Sequence, residues 1–198
     1  MTRGWSGDLS DLRIYNRLLS GNEVQILANA PSINYAPSVN AGSNQTIIWP
    51  AAANLAGTVT DDGKPNPPGT VTTAWSEIGG PGAVTFGNSN ALATTASFSV
   101  AGTYQLQLAA NDGQATTVGN IAVNAIKPAL SLSLFSNALQ LSWPTNSINW
   151  LLQYQTNPPS EGLGTNWTDV PGPLTNPFAM PIYPGVGSAF YRLVLTNQ

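Results

Sequence analysis

Large apolar residues recur at every second position through much of this chain, and that period of two predicts strands with one buried face. In "GTYQLQLAAND", Tyr104, Leu106, Leu108 and Ala110 take one side while Gln105, Gln107 and Ala109 take the other. "NIAVNA" repeats the pattern with Ile121 and Val123, "VTTAWSEI" places Trp75 in mid-strand, and Asp112-Gly113 after a strong strand marks a tight hairpin. Further on, "LSLSLFSNALQLSW" reads as a second hairpin. Leu130, Leu132 and Leu134 alternate with serines, the turn falls at Ser136-Asn137, and Leu139, Leu141 and Trp143 alternate on the return, so these leucines are expected on a core face. Trp150, Leu152 and Tyr154 continue the alternation, "NWTDV" offers a strand around Trp167, and "AFYRLVL" puts Tyr191, Leu193 and Leu195 on one side.

The opening stretch breaks this rhythm. "WSGDLSDLRIYNRLLSGNEVQILAN" begins with an extended run carrying Leu12, Ile14 and Tyr15 and then changes period. Ser20 and Glu23 have the spacing of a capping box and Leu19 and Val24 that of a hydrophobic staple, which predicts a short helix starting at Ser20. Val24, Ile26 and Leu27 give it an apolar stripe that a strand and so short a helix cannot bury alone. The expectation is a strand and helix left over from another domain, packed loosely or lying on a neighbour's surface.

Punctuation divides the rest. Pro31 and Pro37 bracket a linker before the first alternating unit, and Lys127-Pro128 separates it from the second. The reading is all-β: residues 1–30 are an orphan strand plus short helix, 36–126 an immunoglobulin-like sandwich of about seven strands, and 128–198 a smaller, fibronectin-III-like sandwich. Gly, Pro, Ser, Thr and Asn-rich composition with 42% apolar residues suits short strands and turns.

Charge and special residues then narrow the function. Only 8% of residues are charged, nine acids against six bases, so no basic field exists for a nucleic acid backbone. With no cysteine and no histidine, disulfides, thiolate sites, most zinc sites and the usual imidazole base are excluded. No apolar run approaches the roughly 20 residues that span a bilayer, and Met1 opens neither a signal nor a transit peptide, so an export address would lie upstream.

Three resemblances add to this. "GDLSDLRIYNRLLSGNEVQIL" resembles the carboxyl-terminal signature of the laminin-G-like, concanavalin-type jelly roll, which implies the truncated end of such a domain; Asp8 and Asp11 match its acidic positions and read as turn and strand-edge hydrogen bonders. The run from "APSVNAGSNQTI" through "LAGTVTDDGKPNPPGTVTTAWSEIGGPGAVTF" to "FSVAGTYQLQLAANDG" resembles the PKD-like domains of large bacterial surface and polysaccharide-associated proteins, with "WSEIGGPG" in place of the usual W-x-F-G-D-G. It implies a spacer or adhesion module without catalytic residues. Trp75 falls at the sandwich's central tryptophan and Tyr104 at its tyrosine corner, so both read as structural. The last unit, "LSW...W-x-L-Q...NW-x-x-V...FYRL", is similar to a small carboxyl-terminal β-sandwich of multidomain secreted proteins in some environmental bacteria.

Candidate chemistry is sparse. Asp61 and Asp62, with Asn66, have the oxygens for a calcium-binding turn, and the same "TDDGKPNPPG" residues also serve plain turn geometry. Trp167, Trp49 and Trp150 are candidate sugar-stacking platforms, against which Trp143 and Trp150 sit at inward positions of alternating strands. No two acids pair convincingly as a glycosidase would need. The favoured function is a non-catalytic extracellular or cell-surface scaffold with upstream domains of the same protein and a polysaccharide as partners. The alternatives are a carbohydrate-binding module, and the appendage of a glycoside hydrolase whose catalytic domain lies elsewhere.

Overall fold

The computed structural model describes residues 14–28, 33–135, 138–147, 149–181 and 187–196. Apart from one helix it is built of strands. The helix, α1 (Gly21–Ala28), starts where the capping box places it. The Ser20 backbone N–H donates to Glu23 Oε2 at 2.8 Å and the Glu23 N–H to Ser20 Oγ at 3.3 Å. Arg17 adds an ion pair at 2.6 Å, and these partners hold the Glu23 carboxyl at about 2, well below the usual range. The apolar stripe is not covered: Val24 is 51% and Ile26 64% exposed. The expected strand falls mainly on residues before 14, outside the described residues, and residues 14–20 join no sheet among those described.

Nine strands follow in the first unit: β1 (Ser38–Asn40), β2 (Gln45–Ile48), β3 (Ala53–Ala56), β4 (Thr58–Thr60), β5 (Thr72–Gly79), β6 (Val84–Phe86), β7 (Ala93–Phe98), β8 (Gly102–Asn111) and β9 (Thr116–Ile126). One sheet runs β2-β9-β8-β5, a second β3-β7-β6, and β1 pairs with β4. All pairings are antiparallel except β2 with β9, which is parallel from Gln45↔Val123 to Ile48↔Ile126. Alternation on β8 and β9 does what its period implies: Tyr104, Leu106, Leu108, Ile121 and Val123 are buried and meet Ala53, Leu55, Ala96 and Phe98 from the facing sheet.

Two aromatic residues lock this interior. Trp75 is 3% exposed and donates its indole N–H to Leu92 O at 3.4 Å. Tyr104 stacks at a tilt against Phe98, 4.6 Å between centroids, and donates its hydroxyl to Val100 O at 2.8 Å, the back-bond of a tyrosine corner. Gly80 exists for this ring: a Cβ there would collide with Tyr104 Cδ1.

Among its described residues the second unit has six strands: β10 (Ser131–Phe135), β11 (Ala138–Ser142), β12 (Trp150–Asn157), β13 (Thr168–Asp169), β14 (Phe178–Pro181) and β15 (Ser188–Leu195). They form two three-stranded sheets, β10-β11-β14 and β13-β12-β15. The hairpin ladder runs from Ser131↔Ser142 to Phe135↔Ala138, with its turn residues outside the described set. One expectation is corrected here. Leu132 and Leu134 are 64% and 68% exposed, not on a core face. Among the described residues β10 is the edge of its sheet, bonded to β11 alone, and no further strand or helix covers it. Among the described residues Leu141 and Leu152 are the buried large apolar side chains of this unit, so its core is thinner than the first. Trp143 is half-buried rather than sealed, with Asn176 bracketing its backbone through N–H and carbonyl bonds of 3.4 and 2.6 Å.

Since the described part of the opening segment contributes little burial, removing residues 1–30 should shift the melting temperature of the remainder by no more than about 3 °C. A larger loss in a calorimetric comparison would show that the helix is a structural part of the first sandwich.

Candidate functional site

Three places gather the residues that carry chemistry. The first is the junction between the sandwiches. Only residues 127–130 separate β9 from β10. Trp49, just beyond β2, is fixed from both ends: its backbone N–H donates to Ile126 O at 2.8 Å and its indole N–H to Phe98 O at 2.9 Å. Trp150, the first residue of β12, donates its indole N–H to Trp49 O at 2.9 Å. The two rings meet edge to face, 6.2 Å between centroids at 72°, a favoured aromatic geometry. Two tryptophans proposed as sugar platforms thus hold one another across the unit boundary.

Trp167, the third, carries the Arg192 guanidinium 4.1 Å above its ring. Arg192 is held there by Gln153 Oε1 at 2.9 Å, and Gln153 in turn donates to Asp169 Oδ1 at 2.7 Å. A sugar stacking on the face that Arg192 covers would have to displace this cation–π contact.

The second place is the end of the first sandwich where linker 33–37 meets two turns. Asp61 and Asp62 cap their own loop, accepting from the backbone N–H of Gly63 and Lys64 at 3.0 Å each, and Asp62 also accepts from the Tyr35 N–H at 3.4 Å. Asp112 closes the β8–β9 hairpin by accepting from the N–H groups of Gln114 and Ala115 at 2.7 and 2.6 Å, while Asn34 Nδ2 donates to its other oxygen at 3.0 Å. The Ala115 N–H, then Asn34, then the Gln114 N–H lower the Asp112 pKa below the ordinary carboxylate value. Asn66, the third residue of the expected calcium turn, instead lies against Gly69, where a Cβ would stand 3.3 Å from its side-chain carbonyl.

Two oxygens at this end, Asn34 Oδ1 and Asp61 Oδ1, are buried without a hydrogen-bond partner. An all-oxygen set of this kind suits calcium better than a softer metal. Two features oppose it. Among the described residues no three carboxylates lie close enough to hold a metal ion, and the Lys64 ammonium already occupies the Ile33 carbonyl at 3.3 Å.

A depressed folded-state pKa gives Asp112 a stabilising role above the unfolded carboxylate pKa, which is lost as pH falls through the lower folded value. Asp112→Asn should therefore melt below wild type at pH 7, and the gap should close as the solution is acidified below about pH 4. A gap independent of pH would mean that shape, not charge, sets the difference.

The third place was not anticipated. Gln155 and Asn157 point outward from β12, where alternation suggests solvent, yet Gln155 is 2% exposed. The loop between β12 and β13 folds over them: Asn157 Nδ2 donates to Gln155 Oε1 and Gly162 O at 2.7 and 2.6 Å, Gln155 Nε2 to Gly164 O at 3.1 Å, and Asn166 Nδ2 to Asn157 Oδ1 at 3.1 Å. This satisfied amide network shapes the loop that leads to Trp167.

The described carboxylates are mostly engaged in the same way. Glu23 caps α1, Glu77 accepts from the Val84 N–H at 3.1 Å, and Asp61, Asp62, Asp112 and Asp169 hold the turns and side chains named above.

Residues 41–125 match a family model described as "K319L-like, PKD domain". Among solved structures, the chain is similar to a chimeric titin Z1Z2 functionalized with a KLER exogenous peptide from decorin. Identity is 12% and the TM-score 0.37, with 81% of this chain and 90% of that one covered. It is also similar to a structure titled "Anomalous substructure of Titin-A168169", at 15% identity and a TM-score of 0.31, covering 82% and 92% of the two chains.

Proposed function

We propose that this chain is a non-catalytic spacer in an extracellular or cell-surface protein, holding neighbouring modules of a longer polypeptide at a set distance and orientation. The observation that carries this reading is the junction. A four-residue link combined with the Trp49–Trp150 contact restrains the two sandwiches far more than a flexible linker would. The PKD-domain match over residues 41–125 supports a module of this type; a polysaccharide-rich setting is part of the proposal and rests on the sequence resemblance alone. Small-angle X-ray scattering from the purified chain should fit one fixed arrangement of the two sandwiches. A profile that only an ensemble of widely differing orientations reproduces would overturn the spacer reading.

A second reading concerns calcium and rests on the two unpartnered oxygens. Asn34, Asp61 and Asp62, rather than Asn66, would supply the ligands, and the ion would tie linker 33–37 to the end of the first sandwich. Calcium at millimolar concentration should then raise the melting temperature above that in a chelator, and Asp61→Asn should abolish the difference. Identical melting with calcium and chelator would eliminate the ion.

A further inference from the structure

The two sheets of the second sandwich do not close on one another along their whole length. Leu152, paired with Leu193 in one sheet, and Leu141, paired with Phe178 in the other, are both buried. One step further along β12 and β15 comes the cross-strand pair Tyr154↔Tyr191, and there the sheets part around a cleft of about 330 Å³. Tyr154, Tyr191 and Thr156 line it from one sheet, Phe178 and Met180 from the other, and Val170 from the segment after β13. Thr156 is exposed and the others half-buried, so the cleft opens to solvent.

From this lining we infer that the cleft is a binding site for a neutral pyranoside ring. Its chemistry selects that class by exclusion. No lining side chain is charged, so an anion or cation entering it would lose hydration without gaining a partner. Tyr154, Tyr191 and Thr156 bring three hydroxyls to the lining. A purely apolar guest would leave them unsatisfied. A sugar ring offers both what the walls need and what the hydroxyls need: an apolar C–H face for the aromatic rings and hydroxyls for hydrogen bonding. The volume fits one ring, at the lower end of ligand-sized cavities.

The tyrosines are arranged for this. Their rings are nearly parallel, 21° between planes and 6.5 Å between centroids, and Phe178 and Met180 supply an opposing apolar wall. Burial, with the neighbouring Tyr154, raises the pKa of Tyr191; like any tyrosine phenol it is protonated at neutral pH and can donate. The site is separate from Trp167, just before β13, and Arg192 on β15, which pair with one another on the opposite face of the sheet from Tyr154 and Tyr191.

The test is saturation-transfer NMR on the full chain with the methyl glycosides of glucose, mannose, galactose and xylose. At least one should receive saturation on its ring C–H protons, with a Kd of about 1 mM, as expected for one ring at ordinary ligand efficiency. Tyr154→Ala and Tyr191→Ala should each weaken that binding at least about tenfold. Tyr191→Phe, which keeps the ring and the packing, should weaken it about threefold or more, while Gln105→Ala on the first sandwich should leave it unchanged. The inference is overturned if none of the four glycosides receives saturation, if the tyrosine variants bind like wild type, or if 1-hexanol occupies the cleft more tightly than every glycoside.

Discussion

Replacing Trp75 by alanine is expected to lower the stability of the first sandwich by about 3–5 kcal/mol, the usual cost of emptying a large aromatic site in a packed core. The environment supports the full value. Trp75 is 3% exposed and belongs to the same buried cluster as Leu108. It also sits so close to Gly57 that a Cβ there would lie 3.2 Å from the indole ring. Its backbone N–H donates to Ser89 O at 2.7 Å, so the strand cannot readily collapse into the void. For a unit of this size the loss corresponds to a fall of on the order of 20 °C in melting temperature. Tyr104→Phe supplies the scale, since it removes only the hydroxyl bond to Val100 and should cost about 1 kcal/mol. Denaturant unfolding of the three proteins checks both numbers, and a Trp75→Ala loss below that of Tyr104→Phe would show that the tryptophan is not sealed between sheets.

The second large effect is expected on motion rather than on stability. The Trp150 indole bond to Trp49 O is worth about 1 kcal/mol and the edge-to-face contact about 1 more, so together they shift the docked-to-undocked ratio by about thirtyfold. Trp150→Ala removes both while leaving the β9–β10 link intact. In the wild type, amide ¹⁵N relaxation should report one common tumbling time for β8–β9 and β12–β15. In Trp150→Ala the two pairs should tumble with separate, shorter times. Unchanged relaxation would mean that the four-residue link alone holds the orientation.

The contrast between these two tryptophans shows where sequence reading works. Trp75 and Tyr104 could be placed because their neighbours alternate, and alternation on β8 and β9 sorts side chains to one face or the other without any knowledge of partners. Alternation does not say whether that face has a cover. Leu132 and Leu134 alternate as cleanly as Leu106 and Leu108, but β10 ends its sheet and they remain exposed. Conversely, Gln155 and Asn157 read as a solvent face, and a glycine-containing loop buries them through amide bonds that period alone cannot reveal.

The site residues divide in the same way. Asp61-Asp62 announces a turn locally, and the turn is there. Its companions Asn34 and Asp112 are far away in sequence, brought close by the linker and the β8–β9 hairpin, whereas nearby Asn66 turns toward Gly69. The Trp49–Trp150 contact spans 101 positions and depends on how two units dock, which no local pattern encodes. The Tyr154–Tyr191 pair was partly legible, since both strands alternate with these residues inward; that the sheets part there was not.

The absence of native cysteine allows one decisive measurement. Spin labels on Gln105→Cys and Ala179→Cys, each an exposed strand position in a different sandwich, would report the separation of the two units by double electron–electron resonance. A spacer clamped at Trp49 and Trp150 should give a single narrow distance distribution that broadens in Trp150→Ala. A distribution already broad in the wild type would contradict the clamped junction on which the proposed role depends.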